Sequence, residues 1–213
     1  GERVAREVFL LLDAPRPTDM FRLMAQHRIL NHILPSLVRF DWLDALMSLD
    51  SAPVSRILRL AALLEGGASA AEKAARRLRL SNEEHESLRA LAAPSVHLHP
   101  GLETHQRRRY LYRLGAERYR ELALIAWAGA SINSLEKSES GAWRTLADLS
   151  QSWSVPTFFL RGRDALALGV PPGPEVGQLL AAVEEWWLDG DFAAGRKECL
   201  AELKRRVPKV LSG

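Results

Sequence analysis

The chain has 213 residues, 47% hydrophobic and 26% charged, with a formal charge of +3. These are ordinary values for a globular protein, and the length suits one large or two small domains. No stretch approaches the roughly 18–20 uninterrupted apolar residues of a membrane helix, and so small a basic excess does not by itself mark a nucleic-acid binder.

Helical signals begin at once. The start, Gly1-Glu-Arg-Val-Ala-Arg-Glu7, is charged from its second residue and reads as a cut edge rather than a signal peptide. The spacing predicts a helix over 3–12, ended by Pro15 and Pro17. Thr18 is the expected N-cap of a helix reaching Gln26, with Met20, Leu23 and Met24 on one side. Leu30, Ile33 and Leu34 form a short apolar turn before Pro35. Helices are then expected over 36–49 and 53–65, the second closed by Gly66-Gly67.

Two capping boxes follow, Ser69-Ala-Ala-Glu72 and Ser81-Asn-Glu-Glu84, each ahead of apolar residues at helical spacing. Residues 94–100 break the pattern. Helices are expected over 102–114 and 116–130, and the polar segment 131–141 is the best candidate linker. Beyond it come a helix over 142–153, a break at Pro156, a short helix near 163–168 and the turn Gly169-Val-Pro-Pro-Gly-Pro174. A helix over 174–188 carries Val176, Leu179, Leu180, Val183, Trp186 and Trp187 on one stripe. Asp191 is the expected cap of the last helix. With no strand pattern of convincing length, the expected fold is all-α, an array of about ten to twelve helices.

No complete catalytic set emerges. Asp189-Gly-Asp191 has the spacing of a Mg²⁺-holding pair but lies in a turn between helices, where capping is the simpler reading. Of the six histidines only His97, His99 and His105 cluster, in a loop without matching carboxylates, so no metal site is expected. The histidine-aspartate pair of an all-helical phosphohydrolase is missing, as are a nucleophile elbow and a phosphate-cradling Walker loop. Cys199, the single cysteine, reads as a buried inert thiol and fits a reducing cytoplasm.

Two features point toward phosphate. Residues 105–120 hold six arginines and three tyrosines against one acid; Arg107, Arg108, Arg109 and Arg113 are the candidate phosphate contacts, and a tyrosine there can stack on an unpaired base. The alternative is a solvated face whose tyrosines pack inward. The second feature is the turn through Gly173 and Gly177, shaped like a helix–hairpin–helix, with Arg161 and Arg163 just upstream. Tight helix packing would ask for the same glycines. Arginine makes up 24 of the 29 basic residues, which suits phosphate recognition and also follows from a GC-rich genome.

Several short motifs in order resemble a known family. They are Glu2-Arg-Val-x-Arg-Glu7, Phe21-Arg-Leu-Met24, Ile33-Leu-Pro35, Arg77-Leu-Arg-Leu-Ser-Asn-Glu83 and Leu168-Gly-Val-x-Pro-Gly-Pro-x-Val-Gly177, with Glu-Glu-Trp-Trp187 after it. Together they resemble the C-terminal part of bacterial tRNA nucleotidyltransferases, the CCA-adding enzymes, and of the similar bacterial poly(A) polymerases. The resemblance implies neck helices over 1–50, a body over 51–130 and a tail over 131–213. It also implies that Glu2, Arg3 and Glu7 brace a nucleotide-selecting helix that precedes this chain. The family's catalytic head, with its Gly-Gly-x-Val-Arg-Asp loop, is not found here. The chain is therefore expected to hold RNA, a tRNA or an RNA 3′ end, through its phosphate backbone. It is expected to be inactive alone and without a cofactor of its own. Mg²⁺ and ATP or CTP belong to the full-length protein, the missing head is the expected partner, and self-association can follow from surface left uncovered. The rival reading is a helical protein-interaction scaffold with no RNA role.

Overall fold

Apolar residues at helical spacing, punctuated by proline and glycine, become helices throughout. The computed structural model describes residues 2–34, 38–49, 54–132 and 137–211, with the side chains of 137–138 and 208–211 excepted. In chain order these residues form α1 (Glu2–Leu12), α2 (Pro17–Gln26), α3 (Leu30–Ile33), α4 (Phe40–Ser48), α5 (Arg56–Leu63), α6 (Gly67–Leu78) and α7 (Asn82–Ala92). Then follow α8 (Thr104–Leu114), α9 (Ala116–Ser131), α10 (Lys137–Ser152), α11 (Gly162–Leu166), α12 (Pro174–Asp189) and α13 (Arg196–Leu211). The one β element among the described residues is an isolated antiparallel bridge between Val38 and Leu64. The fold is all-α.

Helix starts follow capping chemistry, with three departures from expectation. At Ser81 the box closes: its hydroxyl accepts from the Glu84 N–H at 3.2 Å, and its own N–H donates to Glu84 Oε2 at 3.0 Å. At Ser69 no box forms, because α6 already starts at Gly67, and Glu72 turns to Arg76 (2.6 Å) and His85 (2.7 Å) instead. Thr18 is not a cap either. Pro17 takes the first helical position, where a missing N–H costs nothing, and Thr18 is buried in the first turn. Asp191 has a left-handed φ of +48° and lies well before Arg196, where α13 begins, so it does not cap that helix.

The helix expected over 36–49 forms as α4, with 35–37 outside the described residues, and that over 53–65 forms as α5, with Ser55 as its cap. Of the expected linker, 133–136 lie outside the described residues, and α10 already runs through 137–141.

The chain divides into two compact units. The first comprises residues 1–102 and 115–152. Its core joins Val8 and Leu12 of α1, Leu43 and Leu46 of α4, Leu58, Leu60 and Leu63 of α5, and Leu122 and Leu124 of α9, all buried. Four alanines of α6, Ala70, Ala71, Ala74 and Ala75, are buried too; their small side chains let α6 lie close against α7.

The second unit comprises residues 103–114 and 153–213. Its core is Leu160, Ala165, Val170, Leu179, Val183, Trp187, Leu188, Cys199, Leu203 and Val207. Trp187 anchors it, with Tyr112, Phe158 and Phe192 at centroid distances of 5.7, 5.4 and 5.0 Å, and its indole N–H donates to the Ala194 carbonyl at 2.9 Å. The units thus cut the chain at other places than 50 and 130, and α8 belongs with the C-terminal helices.

Candidate nucleic-acid interface

The arginine run on α8 faces carboxylates of its own unit. Arg108 Nη1 donates to Asp191 Oδ2 at 2.7 Å, and Arg109 Nη2 donates to Glu185 Oε2 at 2.5 Å. Arg109 also reaches Asp189, Arg113 pairs with Glu185, and the Tyr112 hydroxyl donates to Glu184. Arg107 is half-buried and not free. Burial, and next the bond to Glu184, pushes the Tyr112 phenol well above its usual range.

A phosphate would have to displace a carboxylate to reach Arg108, Arg109 or Arg113. Their expected role as open phosphate contacts therefore gives way to a structural one, tying α8 to the end of α12. The tyrosines follow the same course: Tyr119 is fully buried, Tyr112 packs on Trp187, and only Tyr110 of the three is neither buried nor packed into that aromatic core. Asp189 and Asp191 meet arginines, and among the described residues no group of three or more His, Cys, Asp or Glu is placed to hold a metal.

The proline-glycine turn is open to solvent. Residues 171–175 and Gly177 are exposed, and Pro174 starts α12. Gly173 has extended backbone (φ 169°), which any residue adopts, and a Cβ at Gly177 would meet nothing. The helix-packing explanation for these glycines therefore fails. A Cβ at Gly173 would lie 2.5 Å from Glu175 Oε2, so a carboxylate already sits over the first turn where an anion would rest. Upstream, Arg161 and Arg163 are exposed, and neither side chain has an ion partner among the described residues. The Arg161 N–H donates to Asp164 Oδ2 at 2.8 Å, and the other oxygen of Asp164 accepts from Arg196 at 2.5 Å.

Sequence reasoning passed over the first forty residues as a source of cations. Helix α1 turns Ala5, Val8, Phe9 and Leu12 inward and leaves Glu2, Arg3, Arg6, Glu7 and Leu10 outward. Arg28 follows α2, exposed, with a left-handed φ of +59°. Arg3, Arg6 and Arg28 have no partner among the described residues, whereas Arg16 is held by Asp19 and Arg22 by Asp41 and Asp44. Leu10, Met20, Leu23 and Ile29 add exposed apolar surface to the same stretch. Only the pattern of inward and outward positions finds these arginines; no charge run marks them.

Charge is divided unevenly as well. Residues 103–114 and 153–213 hold twelve Lys and Arg against nine Asp and Glu, and the rest of the chain is balanced at seventeen each. No helix among the described residues is long and apolar enough to cross a membrane.

Residues 1–40 match the family model described as the probable RNA and SrmB-binding site of polymerase A. The chain is 34% identical over 55 residues to the mitochondrial CCA tRNA nucleotidyltransferase 1 of Mus musculus, an alignment covering 26% of this chain and 13% of that protein. The Homo sapiens protein of the same name is 33% identical over 55 residues, with the same coverage. The chain thus matches only a small share of these relatives' length.

Proposed function

We propose that this chain, a C-terminal part of a protein of the CCA-adding and poly(A) polymerase family, is the RNA-binding helical portion of a nucleotidyltransferase that extends RNA 3′ ends without a template. The single observation that carries the reading is the match of residues 1–40 to the polymerase A RNA-binding segment. Identity with two CCA tRNA nucleotidyltransferases supports the family, and the ordered motifs from Glu2 to Trp187 run with it.

In this reading RNA is held by its phosphates. Arg6 and Arg28 in the first unit, and Arg161 and Arg163 in the second, are the side chains best suited to it, being exposed and not engaged by carboxylates. Arg3, with Glu2 and Glu7, occupies the outer face of α1, where it braces a further helix of the full-length protein. The exposed Leu10, Met20, Leu23 and Ile29 suit the contact with the catalytic head, or self-association where the head is lacking. The residues present do not fit a catalytic Mg²⁺, because Arg109 and Arg108 engage Asp189 and Asp191. Nucleotide addition, with its Mg²⁺ and ATP or CTP, therefore belongs to the head, and the whole protein acts on tRNA or on RNA destined for polyadenylation in the cytoplasm.

Gel retardation of labelled tRNA and of single-stranded RNA by this chain tests the reading. Retardation that weakens when Arg6, Arg28, Arg161 and Arg163 are replaced together by glutamine supports it. Absence of any retardation at low salt favours the protein-interaction scaffold instead. Incubated with labelled ATP or CTP, Mg²⁺ and tRNA, the chain is expected to add nothing.

A further inference from the structure

The first unit contains a cleft of about 250 Å³ that the reading above does not use. It lies between the start of α4, the loop after α7 and the middle of α9. Leu91, Leu98, Leu122 and Ile125 make its apolar walls, and Arg39, Trp42 and the exposed His97 its polar and aromatic part. The Arg39 guanidinium lies 3.9 Å from the centre of the Trp42 ring, its Nε donates to the Leu64 carbonyl at 3.1 Å, and its backbone N–H donates to the Leu63 carbonyl at 2.7 Å. The indole is fixed as well: a Cβ at Gly129 would lie 2.5 Å from Trp42 Cη2, so α9 keeps a glycine there for the ring edge.

Arg39 is unusual among the arginines of this chain. It is half-buried, burial lowers its affinity for the proton, and no carboxylate pairs with it among the described residues. A cation drawn partly out of water is stabilised by a π face on one side and by an anion on the other. Here the face is supplied, while the Glu65 carboxylate acts on the guanidinium only through space, with no ion pair between them. The Nη groups, with no partner among the described residues, remain available as a fork for phosphate oxygens.

The geometry points to this Arg39–Trp42 cleft as the seat of one unstacked nucleotide of a bound RNA, its base against the apolar walls and its phosphate on Arg39. The inference rests on the RNA-binding reading and deepens it. A cleft below the usual range of ligand pockets admits one base and not a strand. Base edges need a donor or acceptor at the rim, which the imidazole of His97 supplies. Arg39 also lies inside the segment that matches the polymerase A RNA-binding family, which favours RNA over a free nucleotide.

The test follows the six indole N–H resonances of the ¹⁵N-labelled chain, with Trp42 assigned by Trp42→Phe. Adenosine monophosphate and a single-stranded RNA hexamer should each shift the Trp42 signal saturably, and ribose 5-phosphate should do so far more weakly. Arg39→Gln should weaken the adenosine monophosphate response about tenfold, in line with the loss of a charge-assisted hydrogen bond to phosphate. Ala126→Phe, filling the cleft from α9, should abolish it while the other five indoles stay in place. His97→Ala, which leaves the packing untouched, should weaken it as a second variant. A Trp42 signal that neither ligand moves overturns the proposal. So does equal response to ribose 5-phosphate, which denotes a phosphate site without a base, and so does response to the mononucleotide alone, which denotes a free nucleotide. If the chain retards RNA in gels while Trp42 stays silent, the cleft falls and the RNA-binding reading stands.

Discussion

The two units are built on different bargains between charge and packing. In the first, leucines and small alanines interlock, cations and acids balance, and Arg3, Arg6 and Arg28 are not engaged by carboxylates among the described residues. In the second, a tryptophan-centred core is wrapped by arginine–carboxylate pairs, and the densest cationic run of the chain is consumed by its own acids. The contrast teaches that cation density along a sequence is not cation availability in space. The run at 107–113 catches the eye and is neutralised; Arg6 and Arg28, isolated in sequence, are free among the described residues.

The largest effect is expected at the centre of the second unit. Trp187→Ala removes the ring on which Tyr112, Phe158 and Phe192 pack, together with the bond to Ala194, and should cost about 3–5 kcal/mol in denaturant unfolding. A loss below about 1 kcal/mol would mean that the ion pairs rather than the aromatic core hold this unit.

In the first unit Gly129→Ala sets two effects against each other. Alanine favours a helix interior by about 1 kcal/mol, but its methyl would meet the Trp42 ring, and overpacking of this kind costs about 1–3 kcal/mol. Net destabilisation of about 1 kcal/mol in thermal unfolding is expected. A gain in stability would show that Trp42 yields easily.

Glu185→Gln removes the partner shared by Arg109 and Arg113. The pair is partly exposed, so the stability loss should be about 1 kcal/mol and should shrink as salt rises. The same change releases Arg113 and leaves Arg109 held by Asp189 alone, and RNA affinity should increase severalfold in a binding titration. Unchanged affinity would mean that α8 lies away from RNA whatever its charge.

The smallest expected effect is a pH dependence in α13. The Glu202 carboxyl, nearly buried, is held down to about 2, first by its bond to Arg205 and then, with burial opposing, by Arg206. A depressed carboxylate contributes stability above its unfolded pKa of about 4.3, and that contribution is lost as pH falls toward 2. Helicity followed across this window should decline with acid, and Glu202→Gln should flatten the decline.

Local features of the fold were legible in the residues. The Ser81 box, the proline at the head of α12 and the stripe from Val176 to Trp187 each follow from spacing within one helix, and each is found. What could not be read lies far apart in the chain. Asp191 reads as a cap until Arg108, 83 positions away, takes its carboxylate. Ser69 and Thr18 have the right residue type for caps, but the helices begin two residues and one residue earlier, at Gly67 and Pro17. The Arg39–Trp42 pair is close in sequence, yet its cleft exists only because Gly129 and the loop through His97 come to the same place. The ordered motifs pointed to the nucleotidyltransferase family because they sample the whole length and need no knowledge of contacts.

The most direct test of the account is the salt dependence of RNA affinity for the intact chain, followed by fluorescence anisotropy with a labelled single strand. Binding through phosphates predicts log–log lines falling by about 0.7 per contact, with a shallower slope once Arg6, Arg28, Arg161 and Arg163 become glutamine. A slope near zero, or one that those four substitutions leave untouched, would contradict it.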